Sequence, residues 1–134
     1  MAIVVLDTDI VSFRFKKDTR ARIYRRHLLG REPVIAFMTL AELKAWALER
    51  RWGAARQEAL ALHLQQYEVY FADEALCRLW ADVWVRARRN GRRIEVADAW
   101  VATIALGLDV PLVTHNPADF VGIAGLKILS EAVL

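Results

Sequence analysis

Apolar residues follow two rhythms along this chain. Short unbroken runs rich in β-branched side chains alternate with longer stretches in which apolar positions recur every three or four residues. The first rhythm marks strands buried on both faces; the second marks amphipathic helices. Residues 2–6, Ala-Ile-Val-Val-Leu, predict the first strand. Thr8 or Asp9 is placed to cap a short helix through Phe15, and Asp18 or Thr19 a second helix that stops at Gly30. Pro33 precedes a second strand, Val34 to Phe37. Thr39 and Glu42 have capping-box spacing, so a helix is expected to begin there and run toward Trp52. Gly53 separates it from another helix at about 54–66, and Tyr67 to Phe71 make a third strand.

In the second half, Asp73 caps a helix in which Leu76, Leu79, Trp80, Val83 and Trp84 keep helical spacing. A helix at about 95–106 carries Ala97, Val101, Ile104 and Ala105 on one face, with Gly107 as its stop. Pro111 to Thr114 and Leu126 to Leu129 predict strands four and five. Strands alternating with helices predict an α/β fold with a mostly parallel sheet, residues 1–134 forming a single domain.

That alternation gives four acidic segments their meaning. Asp7 directly follows the first apolar run, with Asp9 two residues on. Glu42 falls in the first turn of the helix after strand two, Asp98 in the first turn of its own helix, and Asp119 in the loop after strand four. Sites in open α/β sheets form at the carboxyl ends of strands, and helix N-termini lower the cost of gathering negative charge there. Each acid also has a plainer reading. A strand-end Asp is often a helix cap, Glu42 fits a capping box, and Asp119 suits a loop turn. Together, each at a predicted carboxyl edge, they suggest a cage of hard oxygen ligands for Mg²⁺ or Mn²⁺. Such a cage points to phosphate chemistry.

Charge and composition narrow the partners. The 134-residue chain is 56% hydrophobic, which excludes general disorder, and carries a net charge of +3. Its basic residues are arginines except Lys16, Lys17, Lys44 and Lys127. Guanidinium forks match phosphate, so nucleic acid is a sensible partner. Arg86, Arg88, Arg89, Arg92 and Arg93 lie just before the Asp98 helix and are placed to guide nucleic-acid phosphates toward it; a solvated helix end is the equal alternative. A lone Cys77 makes no internal disulfide and suits a reducing compartment. Residues 1–15 lack the pattern of a signal peptide and no apolar run has membrane-span length, so a cytoplasmic location is expected.

The segments Leu6-Asp7-Thr8-Asp9-Ile10, Thr39-Leu40-Ala41-Glu42-Leu43, Asp98-Ala99-Trp100-Val101-Ala102-Thr103-Ile104-Ala105 and Leu112-Val113-Thr114-His115-Asn116-Pro117-Ala118-Asp119-Phe120, in this order, resemble those of PIN-domain ribonucleases. The nearest resemblance is to VapC-type toxins of type II toxin–antitoxin pairs, over nearly the whole chain. It implies a PIN-like three-layer sandwich, a central parallel five-stranded sheet flanked by helices. It implies Mg²⁺- or Mn²⁺-dependent RNA cleavage, with Asp7, Glu42, Asp98 and Asp119 as the acids. Asp7 and Asp98 are the first choices as metal ligands, with Glu42 and Asp119 as further candidates. Thr8, Asp9, Thr114 and Asn116 would support the site. RNA substrate, a cognate antitoxin and a homodimer are the implied partners, and the Arg14–Arg26 region offers an antitoxin or dimer surface, with Phe13, Phe15, Ile23 and Tyr24 facing outward. The chain departs from the pattern in three places. Asp9 stands where Asn is frequent, His115 where Arg is common, and Trp100 where a smaller aliphatic residue is usual.

Two other readings remain open at the level of residues. Asp7-Thr8-Asp9-Ile10-Val11 resembles the opening of haloacid-dehalogenase-like phosphohydrolases, but these need a lysine after a later helix and a late pair of acids after a strand, and Lys127, the only lysine after Lys44, follows the last acidic motif. A non-catalytic nucleic-acid-binding module would use the acids as caps and the arginines as its surface.

Overall fold

A computed structural model describes residues 2–132. Five parallel strands form one sheet: β1 (Ala2–Leu6), β2 (Arg31–Ala36), β3 (Glu68–Tyr70), β4 (Leu112–Val113) and β5 (Ile128–Leu129), in spatial order β3-β2-β1-β4-β5. The helices are α1 (Thr8–Lys16), α2 (Arg20–Ile23), α3 (Arg25–Leu28), α4 (Phe37–Glu49), α5 (Ala54–Leu64), α6 (Glu74–Arg89) and α7 (Val96–Leu108), with a 3₁₀ turn at Pro117–Phe120. The predicted parallel five-stranded α/β sheet is therefore what the chain forms.

The period of two explains the layers. Val4, Leu6, Ile35 and Val113 share one apolar cluster with Ile10, Leu43, Leu60 and Leu64, from α1, α4 and α5. Val5, Val34, Ala36 and Leu112 point to the other face and meet Val101, Ala102, Ile104 and Ala105 of α7. β1 is central and its Val4, Val5 and Leu6 are completely buried. Burial of each such side chain contributes about 1.5–3 kcal/mol. The chain moves outward from β1 through β2 to β3, then returns to place β4 on the other side of β1. The order reverses at β1, and the crevice at such a reversal is where α/β sheets bind ligands.

α6 lies on α7 through an indole stack. The ring centroids of Trp80 and Trp84 are 5.0 Å apart at 14°, and those of Trp80 and Trp100 are 5.3 Å apart at 24°. Phe37 of α4 meets Trp100 edge-on at 5.2 Å. Trp100 thus extends a packing surface that a smaller residue would leave short.

Several local expectations are corrected. The predicted helix from Asp18 to Gly30 is two short helices, because the chain turns at Tyr24 to bury its ring. Tyr24 and Phe13 are core residues, 1% and 8% exposed, and do not face outward. The cap of α1 is Asp7, whose carboxylate accepts from Thr8 N. α4 begins at Phe37, two residues before Thr39, so no capping box forms and Glu42 lies in the second turn. Gly107 does not end α7, which continues to Leu108 and closes on Asp109 in the left-handed conformation. A Cβ at Gly107 would sit 3.3 Å from Leu76 Cδ1, so this glycine serves the close approach of α6 and α7.

Ile104 is fully buried between α7 and the sheet. Ile104→Ala should cost about 2–5 kcal/mol, read as a lowered urea midpoint with an unchanged slope.

Candidate active site

The crevice beside the carboxyl end of β1 gathers the acids. Asp7 follows β1 and is 7% exposed. Its Oδ2 accepts from Thr114 Oγ1 at 2.8 Å, from the segment after β4, and its Oδ1 accepts from Thr8 N at 2.8 Å. Asp9, in the first turn of α1, accepts from three donors. They are Ile10 N at 2.7 Å, His115 N at 3.0 Å and Asn116 Nδ2 at 2.8 Å. Asn116 N also donates to Thr114 Oγ1 at 3.0 Å. Asp7, Asp9, Thr114 and Asn116 thus tie β4's loop to the start of α1.

Glu42 is brought in by hydroxyls. Thr8 Oγ1 donates to Glu42 Oε1 at 2.8 Å and lies 2.9 Å from Thr39 Oγ1. Thr8 has one hydroxyl proton, so with that proton on Glu42 the Thr39 hydroxyl must donate to Thr8. Thr39 is fully buried. Sequence reasoning read it as a cap; a buried threonine at a strand–helix junction was the available signal for a different role. A second missed residue is Tyr24. Its hydroxyl meets His115 Nδ1 and accepts from Glu131 N at 3.1 Å, which fixes the loop carrying His115 from below.

Asp98 is half-buried in the first turn of α7, and Asp119 is exposed in the 3₁₀ turn. Their charges nevertheless reach one another. Burial, then the negative charges of Asp119, Glu42, Glu95 and Asp9, push the Asp98 carboxyl from its ordinary 3.8 to about 6. Burial also lifts Asp7 to about 7, reinforced by Asp9 and Asp98 and opposed by the hydrogen bonds from Thr114 and Thr8. Asp9 is raised as well, mainly by burial. All the predicted acids thus act on one region, joined by exposed Glu95, which precedes α7.

None of these carboxylates pairs with a lysine or arginine among the described residues. The donors are oxygens only, and their shared negative charge is the chemistry a divalent cation satisfies. The set fits such an ion in kind. Its side chains are spread, with no three acid, histidine or cysteine groups closed around one point among the described residues.

The arginine run occupies the end of α6 and the loop that follows. Arg86 pairs with Asp82 at 3.0 Å, and Arg88 lies over the Trp84 ring at 4.4 Å. The Arg92 side chain crosses Gly122, three residues beyond Asp119; a Cβ there would stand 3.2 Å from its Nε. Arg89 borders the neighbouring cleft with Gly122 and Ile123, and Arg93 is exposed.

The comparison with known proteins follows this geometry. Ribonuclease VapC1 of Haemophilus influenzae is 29% identical over 129 residues, 93% of this chain and 95% of that one. Ribonuclease VapC5 of Mycobacterium tuberculosis is 27% identical over 123 residues, covering 90% and 87%. The structure of VapBC-1 from nontypeable Haemophilus influenzae superposes with a TM-score of 0.82 at 28% identity, over 96% of this chain and 97% of that one. VapBC2 from Rickettsia felis, solved with a promoter DNA fragment, shares the fold at a TM-score of 0.85 and 22% identity, covering 96% and 98%. No protein-family model matches the chain. Over nearly its whole length the chain is thus similar to proteins named as VapC ribonucleases and to the toxin chains of VapBC structures. No helix among the described residues is long and apolar enough to cross a membrane.

The raised carboxyls set a pH dependence. Between about pH 4 and 7 the folded, cation-free protein binds protons that the unfolded chain has released, so its stability falls as pH rises through that window. Its melting temperature should be higher at pH 5 than at pH 7.5. Asp7→Asn should flatten this difference, and Mg²⁺ should raise the melting temperature more at pH 7.5 than at pH 5.

Proposed function

We propose that this protein is a divalent-metal-dependent endoribonuclease, the toxin of a type II toxin–antitoxin pair. One observation carries the reading. Asp7, Asp9, Glu42, Asp98 and Asp119 from four separate segments act electrostatically on one crevice, and none of them forms an ion pair with a lysine or arginine among the described residues. Such an arrangement is costly unless a cation is to be held. The names of the ribonuclease relatives support the reaction, and the toxin–antitoxin complexes among the structural neighbours support the partner.

Asp7 and Asp98 would hold the ion, with Glu42 and Asp119 as further ligands, and Mg²⁺ or Mn²⁺ suits their hard oxygens. A divalent cation bound there supplies positive charge against the anionic phosphodiester and makes hydroxide available near neutral pH. The protein's residues do the rest. Thr114 and Thr8 N orient the Asp7 carboxylate, and both of its oxygens keep lone pairs for a ligand. Thr8 and Thr39 hold Glu42, which can take a proton from the attacking water. Asp9 anchors His115 and Asn116, keeping the loop at the edge of the crevice. Arg86 and Arg89 at the end of α6, and Arg92 and Arg93 in the loop before α7, would contact RNA phosphates. A cognate antitoxin would cover the acidic crevice, a homodimer is the expected assembly, and the cytoplasm is the expected compartment.

The test is cleavage of a defined RNA by purified protein. Wild type should cut with Mg²⁺ or Mn²⁺ and stop in excess EDTA. Asp98→Asn and Asp7→Asn should fold and lose about a hundredfold or more of the rate. Undiminished cutting in EDTA, or by a folded Asp98→Asn protein, would sink the proposal. Induced alone in cells, wild type should arrest growth and Asp98→Asn should not.

A further inference from the structure

A second charged surface lies apart from the arginine run. Where α1 ends, the chain turns into α2 and α3, and a cleft of about 540 Å³ opens between them. Its charged lining is Arg14, Lys17, Asp18, Arg22 and Arg25. The four cations form no ion pair among the described residues; Arg14 reaches only the neutral Tyr67 hydroxyl and Gln66. The one acid is already spent. Asp18 Oδ1 accepts from Arg20 N at 2.9 Å and Arg20 Nε at 3.0 Å, and its Oδ2 accepts from Arg20 Nη2 at 2.8 Å. Lys17 itself adopts the left-handed conformation, at φ 55°, where Gly or Asn is the usual occupant. Crowding extends past the cleft: slight burial and the charges of Arg50, Arg56 and Arg20 hold the Lys16 ammonium below its usual range.

Arg20 links this surface to the acids. Its guanidinium lies 4.0 Å above the Phe13 ring, and Phe13 meets the His115 ring edge-on at 5.5 Å. Asp9, which anchors His115, acts on Arg20 directly. One edge of the guanidinium is fixed by Asp18, and the side chain remains half exposed. A cation held this way is already oriented for a second anion.

We propose that the α1–α3 cleft is a binding track for the phosphate backbone of single-stranded RNA, with Arg20 as the contact nearest the acidic crevice. The proposal rests on the ribonuclease reading and deepens it. Unpaired guanidinium forks suit phosphates spaced along a chain, and the track leads to the acids by way of Arg20 and the His115 loop. An acidic partner protein is the competing occupant.

The experiment measures binding of a fluorescein-labelled twelve-nucleotide RNA in EDTA, where nothing is cut, as a function of salt. Arg22→Ala/Arg25→Ala should bind roughly tenfold more weakly at 0.1 M salt, and its log–log salt slope should shrink by about 1.4, from two lost contacts at about 0.7 each. Arg20→Ala should shrink it by about 0.7. Arg22→Lys/Arg25→Lys should restore the slope, which separates charge from folding. A folded double-alanine variant with unchanged RNA affinity and slope overturns the proposal, including when it has lost binding to an acidic protein partner. Cleavage by wild type in Mg²⁺, run in parallel, keeps the two ideas distinct: failure there sinks the ribonuclease reading, whereas normal cleavage with an unmoved salt slope sinks only the track.

Discussion

Like charge held together against its own repulsion is the constraint on which this molecule turns. Carboxylates prefer water and distance from one another; here Asp7 is buried and Asp9, Glu42 and Asp98 are half-buried beside one strand reversal. What holds them is a frame of neutral donors. Backbone N–H groups of Thr8, Ile10 and His115, the hydroxyls of Thr8 and Thr114, and the Asn116 amide each engage a carboxylate oxygen. Neutral donors orient a carboxylate without cancelling its charge. An arginine in their place would orient it equally well and leave nothing for a cation to neutralise.

The sheet order makes that frame possible. Because β4 returns beside β1, residues 107 positions apart become hydrogen-bonding neighbours, as Asp7 and Thr114 do. The helices then deliver Asp9 and Asp98 in the opening turns of α1 and α7, where backbone N–H groups and the helix dipole favour negative charge, and Glu42 in the second turn of α4. The site is thus a product of topology first and of side-chain chemistry second. That is why the same crevice tolerates departures such as Asp9 and His115: Asp9 accepts from the loop after β4, and His115 in that loop meets the Tyr24 hydroxyl.

Much of this was legible along the chain, and the exceptions have physical causes. The strands announced themselves because a parallel sheet buried on both faces demands unbroken apolar runs, as in Val4-Val5-Leu6. The acids stood out because each interrupts or ends such a run. Where strand turned to helix was hidden, since Phe37 and Met38 are apolar in either state and only the backbone angles differ. Tyr24 was misread because its partners, Thr114 O, His115 and Glu131 N, come from the far end of the chain. Gly107 looked like punctuation because a residue without a side chain does not reveal whether a turn or a neighbouring helix requires it. Hydrogen-bond networks such as Thr39–Thr8–Glu42 are long-range facts, and no local pattern encodes them.

The tryptophans have an optical consequence. Trp80, Trp84 and Trp100 stand nearly parallel at ring separations close to 5 Å, and Trp100 is two residues from Asp98. The transition dipoles of indoles that near couple, so an exciton contribution to circular dichroism is the expected signature of this stack across α6 and α7. Trp46 and Trp52 pack with the opposite face of the sheet and remain separate emitters. The protein therefore carries its own gauge of how tightly the helix bearing Asp98 is seated, readable in light with no label attached.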